Sequence, residues 1–340
     1  MAKSISRTLV TIAMLVSGSA AQAASSGYHV LKTVKLGGDG GWDYVNLDPA
    51  SGNLYITRGS HLMVVDPGKG ATLADIGDLQ GIHGTVFVKD RAYVTEGGAN
   101  RLAVIDRKSL KKIGEIAVGE RPDGILYDEA SSRIFSFNAK SNDATAVDPS
   151  TGKSVGSVAL GGKPEAASSD GAGTIFVNIE DKNELVAFDA KTLAVKARYP
   201  LTGCESPSGQ SIDTRHARIF SVCDGGVMTV TDMRTGKIVT TAKIGEGPDA
   251  SRFDPATGFI FSSNGESGNL TIVHEDSPDK YTVADTIATA SGARTMELDE
   301  KSHRVYLVTA DRTPGVPTAQ QPHPRAVPVP GTFRLIVLGR

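Results

Sequence analysis

Seven residues separated by 40 to 45 positions carry the chemistry on offer: Asp43, His83, Asp123, Glu165, Ser208, Asp249 and Arg294. Six of the seven ionise, at places where an ordinary core strand would hold apolar side chains. Brought together, the four carboxylates would repel, raise one another's pKa, or recruit a cation. Asp43, Asp123, Glu165 and Asp249 are thus the candidate metal set, since hard cations want several oxygen ligands. His83 and Arg294 would neutralise part of the charge. Two readings stay open: the ring solvates a wet channel, or it binds a divalent cation or a cationic or polyhydroxylated ligand.

Such residues meet only if the elements that carry them repeat around an axis. Aromatic residues at Tyr55, Tyr93, Phe135, Phe176, Phe220, Phe261 and Tyr306 recur at steps of 38, 42, 41, 44, 41 and 45, each inside a short run such as "RAYVTEGGANRLAVID". Gly, Asn and Asp clusters interrupt the apolar runs before three helical turns could form, which excludes helix. A strand precedes each aromatic ("DGILYD") and another follows the closing Asp ("KKIGEIAVG"), giving four strands per unit. A period in the low forties built from four short strands predicts an all-β fold, a seven-bladed β-propeller of four-stranded antiparallel blades. The last unit lacks a fourth strand, and "YHVLKTVKLGG" near the N-terminus supplies one, closing the ring without free edges. Strand parity then puts the fourth-to-first links and the second-to-third turns on one face. Aligning the first strands on their closing Asp places the seven candidate residues at the channel mouth on that face.

The stretch "YVTEGGANRLAVIDRKSLKKIGEIAVGERPDGI" resembles the repeat of the YVTN-type β-propeller family, with Glu96 where the motif usually has Asn. Other copies depart further ("YITR", "FSFN", "FVNI"), yet the resemblance extends over residues 24–340. It implies a seven-bladed, usually exported propeller and no particular reaction. A more distant resemblance is to the lactonase-type propellers. Trp42-Asp43 does not indicate a WD40 protein, because the dipeptide does not recur.

Lys3 and Arg7 precede an apolar run from Leu9 to Val16, and Ala21-Gln22-Ala23 is a small-x-small pattern, so residues 1–23 read as a secretory signal peptide. The expected mature chain, residues 24–340, is one domain, periplasmic or secreted, monomeric and without a transmembrane segment. Without Lys3 and Arg7, 34 basic residues face 38 acidic ones, a charge of −4 that argues against general nucleic-acid binding. Cys204 and Cys223 are the only cysteines, and in an exported chain they are expected to form a disulfide. Residues 311–331, with six prolines, interrupt blade seven on the channel face. They read either as a flap carrying Arg312, His323 and Arg325 or as a decoration. His29, His216, His274 and His303 fall at turns and strand ends without metal spacing and read as surface residues.

No nucleophile elbow, zinc-protease helix, paired Cys-x-x-Cys or phosphate loop is present. The leading expectation is therefore a non-catalytic exported propeller that binds a small ligand, a cation or a protein partner at the channel face. The alternative is a metal-assisted hydrolase or lactonase in which mouth carboxylates hold a divalent ion and His83 or a carboxylate moves protons. A third is an extracytoplasmic assembly module. A divalent cation is the one cofactor these readings call for.

Overall fold

In the computed structural model, residues 25–315 and 326–340 are described. They form seven four-stranded antiparallel sheets and a two-stranded ribbon, with no α-helix among the described residues. Blade two shows the plan: Ile82–Val88 innermost, then Arg91–Glu96, Arg101–Asp106 and Lys111–Ala117 at the rim. Second and third strands lie between neighbouring blades and are covered on both faces, which is why they read as near-continuous apolar runs. Arg133–Asn138 and Asp143–Asp148 are buried apart from their ends. The rim strand Lys111–Ala117 is mostly exposed. The repeating aromatics fill the spaces between blades: Tyr55, Tyr93, Phe135, Phe220 and Phe261 are all fully buried, and burying a ring of this size is worth about 1.5–3 kcal/mol.

The Asp that closes the third strand in blades one to five has a local job. Asp189 accepts the backbone N–H of Lys191 at 3.0 Å and of Thr192 at 2.8 Å, and Asp232 does the same for Arg234 and Thr235. Each holds the turn into the rim strand in the manner of an Asx-turn. In blades one to six the pairing of third and fourth strands then slips by one residue, for example between Val104 and Ile105. Such bulges deepen the right-handed twist that lets blades fan around an axis.

Closure is as the sequence requires. His29–Lys35 pairs antiparallel with Arg334–Gly339, from His29 opposite Gly339 to Lys35 opposite Arg334, and forms the rim strand of blade seven. Cys204, in the link entering blade five, is bonded to Cys223 near the end of that blade's second strand, with Cα atoms 5.3 Å apart. Both are buried beside Leu201 and Ile219. The insertion in blade seven begins and ends in a ribbon, Arg312–Thr313 against Val327–Pro328. The proposed signal peptide, and His323 and Arg325 of the proposed flap, lie outside the described residues. Among those described, no helix is long and apolar enough to cross a membrane.

Candidate functional site at the channel mouth

Four of the seven mouth residues follow a proline: Pro122-Asp123, Pro164-Glu165, Pro207-Ser208 and Pro248-Asp249. Proline has no N–H to give the ladder, and in each of these blades the pairing of the first strand with the second shifts directly after it. Blade two shows the same shift between Ile82 and Thr85, on either side of His83. A bulge re-aims the side chain it carries, so the chain leaves its sheet at the ring position and turns that side chain toward the axis.

The structure gathers the ring and divides its six ionisable residues into three groups, with Ser208 apart. His83 Nδ1 lies 2.6 Å from Asp43 Oδ2 and 3.6 Å from Asp123 Oδ1. One donor atom from each of these three residues falls within 4.8 Å of the others. Asp249 is paired with Arg294, whose other nitrogen reaches the Trp42 carbonyl at 3.1 Å and lies 3.7 Å from Asp43. Glu165 takes the ammonium of Lys163 at 2.6 Å, and Glu180 shares that ammonium. Ser208 donates to the Pro248 carbonyl at 2.8 Å, which ties blade five to blade six. Of the four carboxylates expected to share a cation, Asp43 and Asp123 stand together with His83 between them. Asp249 and Glu165 are each paired with a cationic side chain instead.

Crowding shows in the protonation equilibria. Burial raises the Asp123 carboxyl, with the negative charge of Asp43 adding to it against the opposing pull of His83. Burial and the Asp123 charge push Glu165 well above the ordinary carboxylate range. Asp249 is pushed up to about 6, mainly by burial, although Arg294 opposes the shift. Burial alone would lower His83, but the Asp43 hydrogen bond and the Asp123 charge outweigh it and hold the imidazole above its usual value.

Residues that the sequence reading did not single out complete the site. Tyr44, next to Asp43, is half-buried among the ring carboxylates, and desolvation together with Asp123, Glu165, Asp43 and Asp249 drives its phenol far above the ordinary range. Gly124 lets the inner strand of the next blade approach: a Cβ there would stand 3.0 Å from the Glu165 carbonyl. Deeper still, Arg252 clamps Glu297 at 2.6 and 3.3 Å. Lys163 stands just before the innermost strand of blade four, Pro164–Ser169, outside the regular alternation, and nothing in the repeat marks it as the partner of Glu165.

Some turn residues serve the scaffold instead. Arg58 is fully buried, donates to the carbonyls of Asp39 at 2.7 Å and Gly41 at 2.9 Å, and stacks on Phe333 at 3.6 Å. It organises the glycine-rich link into blade one. Beside the ring, Asp249, Arg294, Glu266, Arg312 and Ala326 line a cleft of about 460 Å³, so both ends of the blade-seven insertion border the mouth.

Neither a protein-family model nor a curated protein matches the sequence. Solved structures do match in shape. A chain of the mitotic checkpoint complex superposes with a TM-score of 0.74 at 10% identity, over 99% of each chain. The RRP9 WD40 repeats give 0.71 at 9% identity, over 94% of this chain and 99% of that one. Hydrazine synthase of Kuenenia stuttgartiensis gives 0.69 at 14% identity, over 79% of this chain and 92% of that one. At such identities the likeness establishes the seven-bladed β-propeller and nothing finer.

Proposed function

We propose that this chain is an exported ligand-binding propeller, a divergent relative of the YVTN-type repeat proteins, whose mouth takes a divalent cation and through it a small polar ligand. One observation carries the reading: the convergence of Asp43, His83 and Asp123 donor atoms within 4.8 Å, each side chain still partly open to the channel. One nitrogen and two oxygens suit Mn²⁺ or Zn²⁺ better than Ca²⁺ or Mg²⁺, which prefer oxygen alone. The Arg294–Asp249 pair beside them offers a ligand one cationic and one anionic contact. Export is supported by the charge-then-apolar pattern of residues 1–23 and by a disulfide that suits an oxidising compartment.

Isothermal titration of Mn²⁺ or Zn²⁺ into chelator-treated protein tests the reading. Asp43→Asn with His83→Gln should remove one bound equivalent per chain; an unchanged stoichiometry contradicts it. A second reading, metal-assisted hydrolysis, draws on Asp249, whose pKa of about 6 suits a general base near neutrality. It requires metal-dependent turnover of an ester or lactone that Asp249→Asn abolishes.

A further inference from the structure

Another cluster of metal-ligand type lies between blades five and six, at the opposite end of the first strands. Asp213 ends the innermost strand of blade five, Glu205–Asp213, and His216 sits in the turn that follows. Glu275 arrives from blade six, on the third strand Asn269–Ser277. That strand and its partner Lys280–Ala288 run for nine residues each, longer than the third and fourth strands of blades one to five. The extra length carries Glu275 to blade five. There Arg218 fastens the hairpin, donating to the Pro278 carbonyl at 2.8 Å and to Asp279 at 2.9 Å.

His216 Nδ1 is 2.7 Å from Asp213 Oδ2 and 3.1 Å from Glu275 Oε1, and the three donors lie within 4.8 Å of one another. The side chains of Asp213 and Glu275 are each only 4% exposed. Asp213 Oδ1 accepts the Arg215 N–H, but Asp213 Oδ2 and His216 Nδ1 are both buried and make no hydrogen bond despite their closeness. A buried carboxylate oxygen left in that state is costly, and a second buried carboxylate beside it adds repulsion. Arg218 relieves neither, since its nitrogens go to Asp232, Asp279 and backbone carbonyls. His216 is 31% exposed, which leaves a way in for an ion and its water ligands.

We propose that Asp213, His216 and Glu275 form a second divalent-cation site, of Zn²⁺ or Mn²⁺ type, that staples the long hairpin of blade six to blade five. One nitrogen and two oxygen donors match those ions. A cation there satisfies the orphaned oxygen and offsets the repulsion between the two acids. Tyr281, which donates to Glu275 at 3.0 Å, orients that carboxylate as an outer partner.

The test uses purified protein in which Asp43→Asn and His83→Gln have silenced the channel mouth, with Zn²⁺ alone as the probe. This protein should bind one Zn²⁺ per chain by equilibrium dialysis, and Zn²⁺ should raise its thermal midpoint. Adding His216→Ala, which leaves no new buried charge, should lower the affinity at least tenfold and abolish the thermal shift; Asp213→Asn should do the same. Absence of Zn²⁺ binding in the mouth-silenced protein, or binding that survives His216→Ala unweakened, overturns the proposal. Failure of the mouth reading has a different sign: the mouth-silenced protein then binds as much Zn²⁺ as the wild type.

Discussion

His83 Nδ1 lies 2.6 Å from Asp43 Oδ2, although forty residues separate the two in the chain. With Asp123 Oδ1 3.6 Å from the same nitrogen, the imidazole is held above its usual pKa. A metal ion needs the neutral ring, so cation and proton compete for the same nitrogen. Affinity should fall as pH drops through the raised His83 pKa, by about tenfold per pH unit below it. Titrations below the raised His83 pKa, in two buffers of different ionisation enthalpy, should show proton release at the mouth on ion binding. Heats independent of buffer, or identical in His83→Gln, contradict this.

Asp249 titrates in the opposite sense to a stabilising carboxylate. Its folded-state pKa is about 6 against an ordinary value of 3.8, so the folded protein holds this proton more tightly than the unfolded chain does. Its contribution to stability therefore declines as pH rises from about 4 to about 6 and is flat beyond. Asp249→Asn cannot ionise and lacks that decline. The wild-type ion pair with Arg294 forms only as Asp249 ionises and is already contained in that folded-state pKa. Relative to wild type, the thermal midpoint of the variant should be higher at pH 7 than at pH 4.5. A difference that stays constant across that range removes the assignment.

Gly209 is a packing requirement of the inner strands. A Cβ there would sit 2.6 Å from Ala250 Cα and 2.7 Å from the Ser251 nitrogen, both backbone atoms of the next blade. Gly209→Ala should destabilise by about 1–3 kcal/mol. Gly114, on a rim strand, would bring its Cβ no nearer than 3.9 Å to Val104, and Gly114→Ala should stay within about 0.5 kcal/mol. Urea unfolding of both variants measures the contrast; equal effects count against it.

The strand His29–Lys35 covers the edge of Arg334–Gly339. Deleting residues 24–36 should bare that edge and produce aggregates or multimers on size exclusion. A monomeric, equally stable deletion product would show that closure through the chain ends is dispensable.

Much of the scaffold was readable because blade after blade repeats the same local physics: an aromatic between sheets, in blades one to five an Asp at the turn, a rim strand that alternates. The ring was readable for the same reason, since one residue per period must face the axis. What the period hides is whatever a single blade does differently. Tyr44 stands among the ring carboxylates in blade one alone, and Lys163 claims Glu165 in blade four alone. His216, read as a surface residue, meets Glu275 only because the blade-six hairpin is long enough to cross to blade five. No spacing within one unit encodes such a meeting. Nor does alignment of the first strands reveal that Asp249 and Glu165 are already paired while Asp43 and Asp123 share His83.

Anomalous diffraction from crystals soaked in Mn²⁺ or Zn²⁺ tests the central claim most directly. The account predicts a peak at the channel mouth about 2.0–2.2 Å from His83 nitrogen and from oxygens of Asp43 and Asp123. A mouth that holds only water in metal-soaked crystals, with His83 still hydrogen-bonded to Asp43, would contradict it.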